Sequence, residues 1–278
     1  MVSRISVVVI TCGRPAETKA AVHSLLNQSI KPLEILFIDN GSNPPISQET
    51  TDNPTVKLTR FNKLVGTSAA RNYGIRIARG DYVAFIDDDC LPTTNWLEEI
   101  NNGIEAGYEI LGGPLQPKFM ASPPEWLEWS KYRKFWWGVG VGNDRTGEIW
   151  GGNMVFKKEV FRKIGMFNQT IGPQGKKRLG FEDVELINRG KKCCKILFMP
   201  KAVVFHRITA ERMTIRYIAR WSYYKGKTDQ LILGHKVLET CRQILLALAL
   251  NVNPSKISKK SYRIRRIAWM AELLGRLL

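Results

Sequence analysis

Apolar positions follow two alternating rhythms over the first hundred residues. Ser6 to Ile10 is a nearly continuous β-branched run; after Pro15, Ala21, Val22, Leu25 and Leu26 fall at helical spacing, and Glu34 to Ile38 is a second buried-strand run. Val56 to Arg60, the helix-like Ser68 to Ala78, and Tyr82 to Ile86 repeat the order strand, helix, strand. Continuous apolar strands separated by helices predict a mixed, mostly parallel sheet flanked by helices, a Rossmann-like α/β layer sandwich. Ligands of such sheets bind beyond the carboxyl ends of the strands. The residues closing each run are Thr11 to Arg14, Asp39 to Ser42 and Asp87 to Asp89, and all three ends are polar.

Later segments read differently. Residues 113 to 150 form a loop-rich, aromatic insertion with Pro114, Pro117, Pro123 and Pro124, then Trp126, Trp129, Phe135, Trp136 and Trp137. Trp150 to Phe156 reads as a strand, Glu182 to Arg189 as a helix opening with acids, and Ile196 to Met199 and Ala202 to Phe205 as short strands. Within residues 212 to 227, Arg212, Arg216 and Arg220 border a stripe of Met213, Tyr217, Trp221 and Tyr224, an amphipathic helix with a cationic edge. Pro254 and Ser255 break the pattern. A last helix after Ser261 groups Ile264, Ile267, Ala268, Ala271, Leu274 and Leu278 on one face, with Arg265 and Arg276 away from it.

Composition adds two constraints. The chain of 278 residues carries a formal charge of +17, placed unevenly: net +12 in residues 201 to 278 and net +5 in residues 1 to 200. With 44% hydrophobic residues it is neither disordered nor an acidic tail protein. The basic end suits phosphate, nucleic acid or an anionic membrane surface. Five cysteines, including the adjacent Cys193 and Cys194, match no disulfide framework and point to a reducing, cytoplasmic compartment. The longest apolar runs, Ile5 to Ile10 and Ile244 to Leu250, are far short of the ~20 residues a membrane span needs.

The chemistry concentrates at Asp87, Asp88 and Asp89. On an extended chain alternate side chains share a face, so Asp87 and Asp89 are expected to converge while Asp88 points away. Like charges at about 4 Å repel by roughly 4 kcal/mol at an effective dielectric near 20, which calls for a proton, a donor or a hard cation such as Mg²⁺ or Mn²⁺ between them. Asp39, ending its strand before Asn40-Gly41-Ser42, suits a base or a ribose hydroxyl, or an Asx turn. Arg71, in a helix entered from Gly66, is placed to reach phosphate.

These segments together resemble family 2 glycosyltransferases of the GT-A fold. The first strand with Thr11-Cys12-Gly13-Arg14-Pro15, the run Glu34 to Ser42, Ala70-Arg71-Asn72-Tyr73-Gly74 and Phe85 to Cys90 occur in the family's order and spacing. So do Gly151-Gly152-Asn153, Gly180 to Leu186 and Pro200 to His206, a coverage of about residues 3 to 207. The first loop departs from the family's frequent Pro-Thr-Tyr-Asn-Arg, having Ile10, Thr11, Cys12, Gly13 and Arg14.

The resemblance implies a catalytic domain at 1–207 and a basic amphipathic helical extension at 208–278. It implies a metal-dependent inverting transfer of a sugar from a nucleotide-diphosphate sugar to a hydroxyl acceptor, in polysaccharide or glycan biosynthesis. Thr11, Arg14, Glu17, Asp39, Arg71, Asp87 and Asp88 would bind the donor; Asp87, Asp89 and His206 would hold Mg²⁺ or Mn²⁺. Gly151, Gly152 and Asn153 would meet the sugar or acceptor. Asp183 would be the general base, supported by Glu182. A glycan or lipid-linked acceptor implies work at the cytoplasmic face of a membrane, where each basic residue contributes about 1 kcal/mol. Two rivals are weaker. A phosphotransferase of the haloacid dehalogenase type normally has Thr or Val two residues past its acid pair, whereas Cys90-Leu91 stands here, and a nucleic-acid-binding protein leaves the acidic strand ends unexplained.

Overall fold

The computed structural model describes residues 2–47, 53–124, 148–175, 177–233, 267 and 269–276. The strands are β1 (Ile5–Thr11), β2 (Glu34–Asn40), β3 (Val56–Phe61), β4 (Tyr82–Asp87), β5 (Cys90–Pro92), β6 (Ile110–Gly112), β7 (Leu115–Phe119), β8 (Met154–Lys157), β9 (Pro173–Gln174), β10 (Lys177–Arg178), β11 (Ile196–Phe198) and β12 (Val204–Ile208). The helices are α1 (Pro15–Leu26), α2 (Thr67–Ile77), α3 (Trp96–Glu105), α4 (Val160–Ile164), α5 (Glu182–Gly190) and α6 (Ile215–Leu233).

A seven-stranded sheet in the order β11-β6-β8-β4-β1-β2-β3 forms the centre. Its pairs are parallel except those of β8, which runs antiparallel to both β4 and β6. Period-two alternation splits the core over the two faces. Val7, Val9, Phe37 and Ile86 pack with Leu25 of α1 and Trp96, Leu97 and Ile100 of α3. Val8, Ile38 and Phe85 pack on the other side with Ile75 of α2, Phe161 of α4 and Leu186 of α5. A second, three-stranded sheet in the order β5-β12-β7 lies beyond the end of β4. Its register sets His206 of β12 opposite Cys90 of β5, and Arg207 N donates to the Asp89 carbonyl at 2.9 Å.

Four sequence expectations are corrected. The segment 113 to 150, expected as loop, contains strand β7. The strand expected from Trp150 begins at Met154, after a turn at 151–152. Strand β4 ends at Asp87, and Asp88 and Asp89 form a turn, so strand alternation does not extend across the three acids. The helix expected from Arg212 starts at Ile215; Arg212 belongs to a 3₁₀ turn, Ala210–Met213. The Trp-rich stretch 126 to 137 lies outside the described residues.

The C-terminal helix, residues 269–276, packs on α6. Lys225 and Arg276 each donate to both Asp229 and Glu272 at 2.7–2.9 Å, so Arg276, expected on an outer cationic face, is an internal ion-pair partner. Gly226 and Gly275 allow this crossing: a Cβ at Gly226 would overlap the Glu272 carbonyl, and one at Gly275 the Tyr223 carbonyl. Among the described residues, no helix is long and apolar enough to cross a membrane. The four described cysteines, Cys12, Cys90, Cys193 and Cys194, are free.

Candidate active site

A cavity opens where β4 ends and α5 begins, lined by Arg71, Asp87, Gly151, Gly152, Glu182 and Asp183, with Trp150, Phe181 and Trp221 as an aromatic wall. Phe181 precedes α5 with φ 68°, the left-handed region that costs a bulky residue roughly 1–2 kcal/mol. Its ring is held by Trp150 at 6.4 Å and Trp221 at 5.6 Å between centroids, and Lys225 Nζ lies 5.8 Å from the ring centre. This turn delivers the two acids of α5 to the cavity.

Arg71 joins the two halves of the site. It is buried, and its guanidinium donates from Nη1 to Glu182 Oε1 at 2.6 Å and from Nη2 to Asp87 Oδ1 at 3.0 Å. Asp183 is held differently: Gly151 N donates to its Oδ2 at 2.6 Å and Val184 N to its Oδ1 at 2.8 Å. A Cβ on Gly151 would lie 3.0 Å from both Arg71 Nη2 and Asp183 Oδ2, so a side chain there would crowd the approach. Burial raises both acids, Glu182 to about 7, while Arg71 pulls each of them down. Carboxylates with raised pKa values in a cavity suit proton transfer near neutrality.

The acids of the Asp87-Asp88-Asp89 turn are neutralised by arginines from three separate elements. Arg71 serves Asp87; Arg14, at the start of α1, donates from Nη1 to Asp88 Oδ1 at 2.8 Å and to Asp89 Oδ2 at 3.1 Å. Arg212 Nη2 donates to Asp89 Oδ2 at 2.6 Å, and its Nη1 contacts His206 Nε2. Burial raises Asp88 to about 6 against the pull of Arg14. Burial acts in the same direction on Asp89, but His206, Arg212 and Arg14 overcome it and hold that carboxyl well below the ordinary range.

Ligand atoms of Asp89, Cys90 and His206 lie within 4.8 Å of one another. Asp87 is not in this group, although the alternation argument pairs it with Asp89. Burial, reinforced by Asp89, holds the Cys90 thiol well above its usual pKa, which leaves the Asp89 carboxylate and the His206 imidazole as the donors suited to Mg²⁺ or Mn²⁺. His206 Nδ1 is buried without a partner, and Nε2 faces Arg212 and lies 3.6 Å from Asp89 Oδ1, so the ring presents its Nε2 edge to the carboxylate. These residues fit a divalent ion.

The remaining expected residues fall as follows. Thr11 Oγ1 donates to Asp88 Oδ2 at 2.9 Å, and Glu17 lies half-buried in the first turn of α1. The Asp39 carboxylate is fully buried and accepts from the Ser42 and Ile46 amides at 2.8 and 3.3 Å, closing its own loop. Asn153 is also fully buried: it accepts from Trp96 Nε1 at 2.9 Å and donates to Ala202 O and Pro114 O at 2.8 and 3.2 Å. Its amide thus ties α3 to the segments that lead into β7 and β12 and does not line the cavity. Arg212 and Trp221 are site residues that sequence reasoning assigned to a helix surface. The proximity of Arg212 to His206 along the chain was the available signal.

Comparison with known proteins completes the description of the site. The family described as Glycosyl transferase family 2 matches residues 6–165. The glucosyl-dolichyl phosphate glucuronosyltransferase of Haloferax volcanii is 25% identical over 245 residues, covering 82% of this chain and 77% of that protein. The succinoglycan biosynthesis protein ExoM of Rhizobium meliloti is 24% identical over 173 residues, covering 61% of this chain and 53% of that protein. A crystal structure of GalNAc-T7 with UDP, GalNAc and Mn²⁺ superposes with a TM-score of 0.57 at 18% identity, covering 82% of this chain and 50% of that one, a likeness of fold.

Proposed function

The chain belongs to glycosyl transferase family 2, and from that membership we propose that it is a metal-dependent, inverting enzyme transferring a sugar from a nucleoside-diphosphate sugar to a hydroxyl acceptor. It is a glycosyltransferase of GT-A type fold, which displaces the phosphotransferase and nucleic-acid readings. The observation that carries the mechanism is the setting of Asp183: both oxygens are fixed by backbone amides on the rim of a cavity shared with Asp87 and His206.

Asp183 accepts the acceptor's hydroxyl proton as the oxygen attacks the anomeric carbon from the face opposite the leaving group. The new bond is acceptor oxygen to sugar carbon, the broken bond is sugar carbon to phosphate oxygen, and the nucleoside diphosphate departs. Arg71 orients Glu182 and Asp87 beside it, and Glu182 holds the acceptor. Asp89 and His206, with Asp87 nearby, would hold Mg²⁺ or Mn²⁺, which neutralises charge on the departing diphosphate when bound. Thr11, Arg14, Glu17, Asp39 and Asp88 form the donor side; Gly151 and Gly152 leave room for the sugar.

The acceptor proposed is a glycan or lipid-linked glycan in polysaccharide assembly. The curated relatives' names, a glucosyl-dolichyl phosphate glucuronosyltransferase and a succinoglycan biosynthesis protein, support it. We place the enzyme at the cytoplasmic face of an anionic membrane, supported by Met270 and Leu274, which are exposed on the C-terminal helix, and by the exposed Ile267. The catalytic unit is 1–207, and the extension 208–278 returns Arg212 and Trp221 to it.

Asp183→Asn keeps the shape and removes the base. Transfer should fall by a factor of about 10²–10⁴ with binding of the sugar nucleotide, followed by thermal shift, unchanged. Turnover within a few-fold of wild type removes Asp183 from the base role.

A further inference from the structure

Asp89 and His206, assigned above to a divalent ion, already face a cation. Arg212 Nη2 sits 2.6 Å from Asp89 Oδ2, and Arg212 Nη1 contacts His206 Nε2. We propose that Arg212 is the resident counter-ion of the metal site: it keeps Asp89 and His206 in ligating geometry before metal binds and is displaced from both as Mn²⁺ or Mg²⁺ enters. The inference rests on the metal reading above and deepens it, making metal entry an exchange of cations at two shared atoms.

Three observations carry it. The first is the identity of the atoms. Arg212 engages Asp89 Oδ2 and His206 Nε2, one atom on each of the two side chains that would ligate the ion. A single guanidinium fork therefore occupies the place between them that the metal would take, while Nδ1 on the other side of the ring is buried without a partner.

The second is charge. Asp88 and Asp89 are both buried, and the single Nη1 of Arg14 is shared between them. Arg14 is 44% exposed, so its hold on Asp89 is open to solvent, whereas Arg212 is 19% exposed against a carboxylate that is 9% exposed. A buried carboxylate deprived of its closer cation is costly, so an enzyme that waits for metal needs a substitute.

The third is mobility of the right part. Met213, beside Arg212 in the 3₁₀ turn, is buried, and Arg212 N bonds the Thr209 carbonyl at 3.1 Å, so the backbone of this turn is anchored. The guanidinium reaches the site on a long, unbranched side chain whose rotation needs no backbone change. Because the empty-site fraction available to metal is set by how often Arg212 is away, apparent metal affinity is reduced by that fraction.

The test is Mn²⁺ binding to the nucleotide-free full-length protein, followed by loss of the electron paramagnetic resonance signal of the aqueous ion, with melting curves showing that each variant is folded. Arg212→Gln removes the competing charge and should tighten Mn²⁺ binding about tenfold or more. Arg212→Lys, a milder change for folding, should tighten it by a smaller factor, because an ammonium cannot engage Asp89 and His206 with a fork. Asp89→Asn should lose binding. Unchanged or weaker Mn²⁺ affinity in Arg212→Gln, with Asp89→Asn still deficient, overturns the exchange and leaves the metal reading standing. If Arg212→Gln does not fold, unchanged affinity in Arg212→Lys is the overturning result. Undiminished affinity in Asp89→Asn overturns the metal reading and the exchange together.

Discussion

Glu182 and Asp183 stand next to each other where α5 opens, and their raised pKa values impose opposite demands on stability and rate. A carboxyl group whose folded pKa exceeds its unfolded value of about 4 binds more protons folded than unfolded between the two, so stability falls as pH rises through that window. A general base works deprotonated, so turnover rises through the same window. Glu182, raised to about 7 by burial, sets the upper limit. Groups held low do not mask the slope. Burial would raise Glu34, but donors from Arg79, Lys57 and Ser6 bring it to about 2, and its contribution is lost only as pH falls below about 4. From about pH 4 to about pH 7 the melting temperature should fall while kcat rises, and Glu182→Gln should flatten the melting slope. A kcat independent of pH across the window contradicts the base assignment. The participants were legible because Asp87 closes an apolar run and Glu182 and Asp183 open a helical one. The strand-alternation argument that pairs Asp87 with Asp89 does not apply, because β4 ends at Asp87 and the chain turns at Asp88 and Asp89.

At the scale of elements, the small sheet decides where His206 goes. Strands β5 and β12 have three and five residues, too short to show a period, and pair across more than a hundred positions. The contact between Arg212 and Asp89, 123 residues apart, depends on that pairing, and no local pattern reports it. Helix α3 is the opposite case: Trp96, Leu97, Ile100 and Ile104 carry plain helical spacing that the strand-centred reading passed over. The crossing of α6 with the C-terminal helix rests on two glycines, and it yields a separate expectation. Gly226→Ala places a methyl group against the Glu272 carbonyl, and overpacking of this kind costs about 1–3 kcal/mol. The ion pairs of Lys225 and Arg276 with Asp229 and Glu272 would part with the helices. Limited trypsin digestion should release the C-terminal helix faster in the variant while the fragment carrying the seven-stranded sheet stays resistant. Equal digestion rates remove the glycines from that role.

For the whole molecule, internal ion pairs leave the net charge of +17 as it is, since each paired arginine takes an acid with it. Arg71 is buried against acids, Arg212 sits on Asp89, and Arg276 is bound between helices. On the membrane placement proposed above, attraction would draw on apolar contact as well as charge, and burying each of Met270 and Leu274 would contribute about 1.5–3 kcal/mol. Met270→Glu combined with Leu274→Glu should reduce co-sedimentation with anionic liposomes by tenfold or more at unchanged melting temperature. Undiminished co-sedimentation takes these side chains out of membrane contact. The layered α/β architecture was legible because strand and helix periods alternate cleanly through β4. The direction of β8 was not, since an antiparallel strand and a parallel one carry the same apolar run. That direction has an engineering consequence. A strand running against its neighbours is entered from the edge where they finish, so Trp150, Gly151 and Gly152 on the way into it arrive at the cavity. They form a cassette that can be exchanged between relatives to alter what the cavity admits, with the hydrogen-bond register from Phe85 to Met154 kept as the splice point.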